Sequence, residues 1–277
     1  MRLLVFFLCV LSTHGMYHNT NVIFKRIKLL CVMVSKLKCT MHDDILVVDW
    51  LPNESVDTLW VFNEHARERI TGELALDVVE QIIRVQPEKR VTIIPVLNVW
   101  GRVQVEHGDS CRRKNRNEVD TNRNYQLKRH HYDVLSEEYE GPHPLSEKET
   151  QLVADILSKG IKRYINVHSG EFSMYMPYDS NTNPPPHADK MRSVLTHLHP
   201  LCEECHKGQA AKVSFYKAYG TSVDYAIRIG VPEAYTFEIY GKNTHICKDM
   251  FNPRKSSEYI RVLTMWSKIL FTSLNIE

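Results

Sequence analysis

The 277-residue sequence predicts an α/β fold, a largely parallel sheet with helices on both faces. Short β-rich apolar runs alternate with amphipathic helical patterns, and such alternation implies crossover connections between parallel strands. The composition, 43% hydrophobic and 25% charged, is that of one globular domain able to bury a sizeable core. In sheets of this kind, sites lie at the carboxyl ends of the strands.

Residues 1–15 carry Met1-Arg2 and the apolar run Leu3 to Leu11, the pattern of a signal peptide, with a buried first strand as the alternative. Nine apolar residues are too few to span a bilayer. Val22 to Val34 is interrupted by Lys25, Arg26 and Lys28, so no stable membrane insertion is expected. Residues 16–277 then form one domain, and the six cysteines left without Cys9 suit secretion, where pairing is open to them. A net charge of +2 gives no hold on nucleic acid.

The stretch before Val56 is weakly patterned, which leaves the first strands expected to be incomplete. Val56 to Phe62 reads as a strand. Ile70, Leu74, Val78 and Ile82 mark one face of a helix from about Glu68 to Val85, ended by Pro87. Val91 to Leu97 is a second β-rich run, followed by a polar segment as far as Pro144. Ser146-x-x-Glu149 reads as a capping box before Leu152, Val153, Ile156 and Leu157, with Gly160 as the stop. Ile161 to Val167 is a strand that delivers His168. Ala234 to Tyr240 is another, and it holds Glu238 among apolar neighbours, costly unless the carboxylate is paired or used.

Where the Val56–Phe62 run gives way to the helix, His65 and Glu68 stand three residues apart. At that spacing on a strand-to-helix turn an imidazole and a carboxylate can share one zinc ion, with a third ligand from elsewhere. Spacing alone decides nothing, since 14 His and 33 acidic residues predict about 1.7 such pairs by chance. Three exist: His65/Glu68, His130/Asp133 and His168/Glu171. His65 and His168 both follow strands, whereas His130 lies among Lys128, Arg129 and His131 on a solvated face.

Taken in order, His65-x-x-Glu68, Val119 to Tyr125 with Asp120-Thr121-Asn122-Arg123, Val167-His168-Ser169, Phe215-Tyr216-Lys217-Ala218 and Thr236-Phe237-Glu238 resemble the zinc carboxypeptidases of the carboxypeptidase A and B family. The likeness runs from about Val56 to the C-terminus. It implies that family's mixed, largely parallel eight-stranded sheet between helices, and one zinc ion held by His65, Glu68 and His168. Glu238 matches the family's general base, acting on zinc-activated water. Arg113, seven residues before Asp120, matches the arginine that stabilises the oxyanion, and Arg116 is the alternative alignment.

The resemblance further makes Asn122, Arg123 and Tyr216 the clamp on the substrate's terminal carboxylate, with Arg67 lining the cleft. A fixed guanidinium suits that task, because it grips a free carboxylate in bidentate fashion and so selects chain ends. Val223, seven residues after Tyr216, falls at the base of the pocket for the leaving side chain, which implies a preference for aromatic or large aliphatic C-terminal residues. The neighbouring Asp224 reads as structural. With 64 residues before His65, the family's inhibitory pro-domain is not expected in this sequence.

Cys202-x-x-Cys205-His206 has the form of a haem-attachment sequence and stands near His197 and His199, but no other residue supplies a haem pocket. A second zinc, a disulfide or a plain helix-loop segment are the other readings. The activity expected is removal of one C-terminal residue from peptides or proteins. Two alternatives are a deacylase or other amidohydrolase on the same scaffold, and a catalytically silent zinc-binding domain. Retention of Arg123, Tyr216 and Glu238 favours the peptidase. Nothing in the sequence fixes the oligomeric state.

Overall fold

Eight strands form one mixed sheet in the order β1-β2-β4-β3-β5-β8-β6-β7. The structure is a computed structural model and describes residues 16–55, 57–125, 131–202, 204–214 and 216–276. The expected signal peptide, Val56, His130 and Phe215 lie outside the described residues. The strands are β1 Leu37–His42, β2 Ile45–Trp50, β3 Thr58–Phe62, β4 Val91–Ile94, β5 Arg163–His168, β6 Phe172–Met176, β7 His206–Gln209 and β8 Glu233–Ile239. Four of the seven junctions, β4-β3, β3-β5, β5-β8 and β6-β7, are parallel; the rest are antiparallel.

The helices are α1 Thr20–Met33, α2 Arg69–Val85, α3 Val99–Glu106, α4 Lys148–Leu157, α5 Ala188–Leu198, α6 Ala210–Val213, α7 Ser222–Arg228, α8 Cys247–Phe251 and α9 Ser256–Ser273. None among the described residues is long and apolar enough to cross a membrane. Helix α2 buries Ile70, Leu74, Val78 and Ile82, the face its periodicity marks. Alternation divides the central strands into two faces. Trp60 of β3 meets Phe271 of α9 edge-on, and Phe237 of β8 packs on Trp266 of α9. The opposite face of β5 presents Tyr164, Asn166 and His168, and its first two reach Ser222 at the start of α7.

Two expectations are corrected. Strands do form before residue 56 among the described residues: β1 and β2 form an antiparallel hairpin, and β2 joins β4. The helix beginning at Lys148 has no capping box, because its N-cap is Glu147 and no side chain caps it. Ser146 Oγ instead donates to Glu147 Oε1 and accepts from Asn124, while Glu149 accepts from Asn115.

Three disulfides link Cys31 to Cys39, Cys111 to Cys247 and Cys202 to Cys205. The Cys202-x-x-Cys205 pair is thus bridged, and the His199 ring bonds to the Cys205 carbonyl at 3.0 Å.

Candidate active site

The parallel register of the central strands sets the site. His168, the last residue of β5, is directly opposite Glu238 of β8, so their side chains leave the same face about 4.8 Å apart along the sheet. Phe62, the last residue of β3, is opposite Val167, which brings the turn after β3 alongside His168. That turn carries Asn63, Glu64, His65 and Glu68.

The turn is held from several sides. Asn63 has φ of 52°, and its amide donates to the carbonyls of His65 at 2.8 Å and Glu68 at 3.3 Å. Arg102 of α3 in turn donates to Asn63 Oδ1 at 2.8 Å. Thr71 donates to the Glu68 carbonyl, and Asn252 caps the Ile70 N–H. Gly101 lets α3 come close: a Cβ there would stand 2.8 Å from the Ala66 methyl and 2.6 Å from Asn98 Oδ1.

His65 Nδ1 lies 2.8 Å from Glu68 Oε1, and His168 Nδ1 lies 3.1 Å from Glu68 Oε2 and 3.1 Å from His65 Nδ1. All three side chains are buried, and their donor atoms lie within 4.8 Å of one another. This is the one such group found among the described residues. Tetrahedral ligands about 2.0–2.1 Å from zinc stand roughly 3.3 Å apart, so these side chains fit a zinc ion by spacing as well as by donor type. His65 Nε2 turns outward to Asp120 Oδ1 at 3.1 Å, a carboxylate partner of the kind that fixes a ligand's tautomer.

The electrostatics are those of buried, mutually compensating charges. Burial would raise Glu68, but His65 and His168 hold it well below the usual carboxylate range. Burial would lower His168, but Glu68 first, then Glu64 and Glu238, raise it well above the ordinary imidazole value. For Glu238, burial and then Glu68 and Glu171 outweigh the pull of His168 and push it up to about 8. A dication nearby would favour its ionised form.

A cavity of about 250 Å³ opens over these groups, and it is lined by His65, Glu68, His168, Glu238, Arg67, Arg113, Asn122, Arg123 and Tyr216 among others. Arg113 reaches Asp120 Oδ2 through Nε at 2.8 Å and Nη2 at 2.7 Å, so one carboxylate braces both His65 and Arg113. Arg116 is exposed and does not line the cavity. Asn122 accepts from the Ser222 N–H at 2.9 Å. Arg123 is buried and donates to Glu138 at 2.6 Å. Its charge is secured: burial works against it, but Asp120, Tyr216 and Glu138 raise its pKa. Arg67 lies over the Phe251 ring, 4.4 Å from its centre, and pairs with Glu137 at 2.8 Å. Tyr216 is 57% exposed at the rim.

Val223 is not among the residues that line this cavity. It is buried on α7 in the hydrophobic core. The next residue is spent structurally, since Asp224 accepts from the Asp179 N–H at 2.8 Å and from the N–H and hydroxyl of Ser180. Asp179 lines the cavity instead, together with Tyr175, Ala210, Ala218 and Thr221. Sequence reading missed it because Asp179 lies 11 residues beyond His168, outside every block that carries the resemblance. Burial, then the Asp224 charge, pushes Asp179 up to about 7.

A family model described as zinc carboxypeptidase matches residues 58–261, the greater part of the chain. The chain belongs to the zinc carboxypeptidase family. It is 25% identical to carboxypeptidase B2 of Bos taurus, over 84% of this chain and 65% of that one. It is 27% identical to mast cell carboxypeptidase A of Rattus norvegicus, over 76% and 59%. The chain therefore spans about three fifths to two thirds of these relatives' length. Among solved structures, carboxypeptidase A from Helicoverpa armigera superposes with a TM-score of 0.81 at 19% identity, over 93% of this chain and 73% of that one. Bovine thrombin-activatable fibrinolysis inhibitor, solved with a tick carboxypeptidase inhibitor, gives 0.77 at 23% identity, over 94% and 98%. At these identities the two structures speak to fold, and the family rests on the sequence match.

Proposed function

We propose that this zinc carboxypeptidase family member is an active metallocarboxypeptidase that hydrolyses the last peptide bond of a peptide or protein. The observation that carries the reading is the convergence, in one cavity, of His65, Glu68 and His168 with Glu238, Arg113 and Arg123. His65, Glu68 and His168 would hold zinc. When bound, zinc supplies Lewis acidity, polarising a carbonyl and lowering the pKa of water. Glu238 takes a proton from the attacking water and returns it to the leaving amine nitrogen. Arg113, fixed on Asp120, stabilises the oxyanion. Arg123 and Asn122 hold the substrate's terminal carboxylate, Tyr216 covers it from the rim, and Arg67 lines the approach. A binding domain would have no use for Glu238, and a deacylase would have less use for the Arg123 clamp.

The leaving side chain meets Asp179 rather than Val223, which supports a preference for C-terminal Lys or Arg over the aromatic or large aliphatic residues that Val223 implied. A carboxylate in a half-buried pocket compensates the desolvation of a cationic head, which is costly when unpaired. Secretion is part of the proposal: three disulfides suit an oxidising compartment.

The test is release of free amino acid from matched peptides ending in Arg, Lys, Leu, Phe and Glu, before and after chelation and after zinc is restored. The reading expects release, loss on chelation, recovery with zinc, and Arg or Lys fastest. No release from any peptide would return the choice to the deacylase or the silent domain. Faster release of Phe or Leu would remove Asp179 from the specificity account.

A further inference from the structure

We propose that Glu64 is a positioning residue for His168, its carboxylate accepting a hydrogen bond from the His168 Nε2–H so that Nδ1 is presented to the metal as a lone pair. The proposal rests on the zinc reading of the site and concerns a residue to which that reading gives no part.

His65 supplies the pattern within the same site. Its Nδ1 faces the ligand cluster and its Nε2 faces a buried carboxylate, Asp120, at 3.1 Å. His168 is arranged in the same way. Its Nδ1 faces Glu68 and His65, and its Nε2 lies 3.5 Å from Glu64 Oε2. Neither His168 Nε2 nor Glu64 Oε1 has a hydrogen-bond partner of normal geometry, although both are buried, and the Tyr125 hydroxyl is the other polar group that interacts with Glu64. Two such polar groups side by side satisfy each other with a small movement, and leaving both unpaired is unfavourable.

A carboxylate is also an expensive choice for this position. Glu64 is 0% exposed and no Lys or Arg pairs with it among the described residues. Its nearest companions are neutral: Asn166 donates to Glu64 Oε2 at 2.6 Å and to Ser222 Oγ at 2.9 Å, Tyr164 donates to Ser222 at 3.0 Å, and the buried Tyr125 hydroxyl also faces Glu64. This chain of contacts, from the start of α7 through Asn166, aims the Glu64 carboxylate at the His168 ring. An apolar side chain would fill the same space without the desolvation cost, so the charge is accounted for by what it does to His168.

The test has two readouts, neither of them activity. In NMR of the zinc-loaded parent, the His168 Nε2–H should appear as a downfield, slowly exchanging imidazole proton. This needs no variant to fold. By chelator competition, Glu64→Gln should bind zinc about 10-fold more weakly and Glu64→Leu up to about 100-fold, the range for loss of a ligand's hydrogen-bond partner. The NMR signal should move in Glu64→Gln and vanish in Glu64→Leu. Absence of that proton in the parent, or zinc affinity within twofold of the parent in both variants, would overturn the proposal. A parent that bound no zinc would overturn the zinc reading as well, whereas a zinc-binding parent with indifferent variants would overturn this inference alone.

Discussion

Glu238 and Asp179 are two carboxylates in one cavity with separate proposed tasks, and a single substitution tests each. Glu238→Gln keeps the shape of the side chain but cannot accept the water's proton. It should retain zinc and substrate binding while turnover falls by about 100-fold or more; a fully active variant would take Glu238 out of the mechanism. His65→Ala should instead lose the metal, read directly by zinc content. Asp179 yields a pH prediction. Burial and Asp224 raise its pKa to about 7, so below that value the pocket loses its negative charge. The ratio of kcat/KM for Arg-ending over Leu-ending peptides should therefore rise as pH passes upward through about 7, and be flat in Asp179→Asn. The sign for stability is the reverse. The folded state holds this proton more tightly than the unfolded chain, so its stabilising effect declines as pH rises from near 3.8 to about 7.

At the scale of elements, strands β3, β5 and β8 were legible because they are buried, β-rich runs with a polar candidate site residue close to the carboxyl end. Helix α2 was legible because its buried stripe recurs with helical period. Others gave no such signal. Helix α1 buries only Thr20, Ile23 and Ile27 and leaves Leu29, Val32 and Met33 in solvent, which blurs its pattern. Strand β7, His206–Gln209, is a short polar edge strand without alternation. The burial of Val223 was hidden for a different reason: counting along the chain cannot tell which face of a seven-residue helix meets the core. The Cys111–Cys247 bridge also needed the fold, since it joins segments 136 residues apart. It ties the loop bearing Arg113 to α8, whose Phe251 lines the cavity beneath Arg67. Cys111→Ala with Cys247→Ala should cost about 2–5 kcal/mol in unfolding measurements. It should also raise KM more than it lowers kcat, because the cavity rim loosens while the central strands stay in register. Unchanged stability and KM would show that the bridge has no such role.

For the whole molecule, the fold places the residues proposed as metal ligands, base and carboxylate clamp on one rim, with the core behind them. Trp60, Phe237 and Trp266 pack on the far face of the sheet, and His168 and Glu238 stand on the near one. The family and its eight-stranded sheet were legible from the order of the short blocks, whereas the pairing of β1 and β2 at the N-terminal edge and the place of Asp179 in the cavity lining required three dimensions. What separates an exopeptidase from any other zinc hydrolase on this scaffold is dependence on a free chain end, the task assigned to Arg123. The direct measurement compares one peptide as its free acid and as its C-terminal amide, each with the zinc-loaded protein, by following the C-terminal residue released. The account predicts release from the acid at least about 100-fold faster than from the amide, with the difference collapsing in Arg123→Ala, as expected when a bidentate charged contact is lost. Equal release from acid and amide, or cleavage at internal bonds, would contradict it.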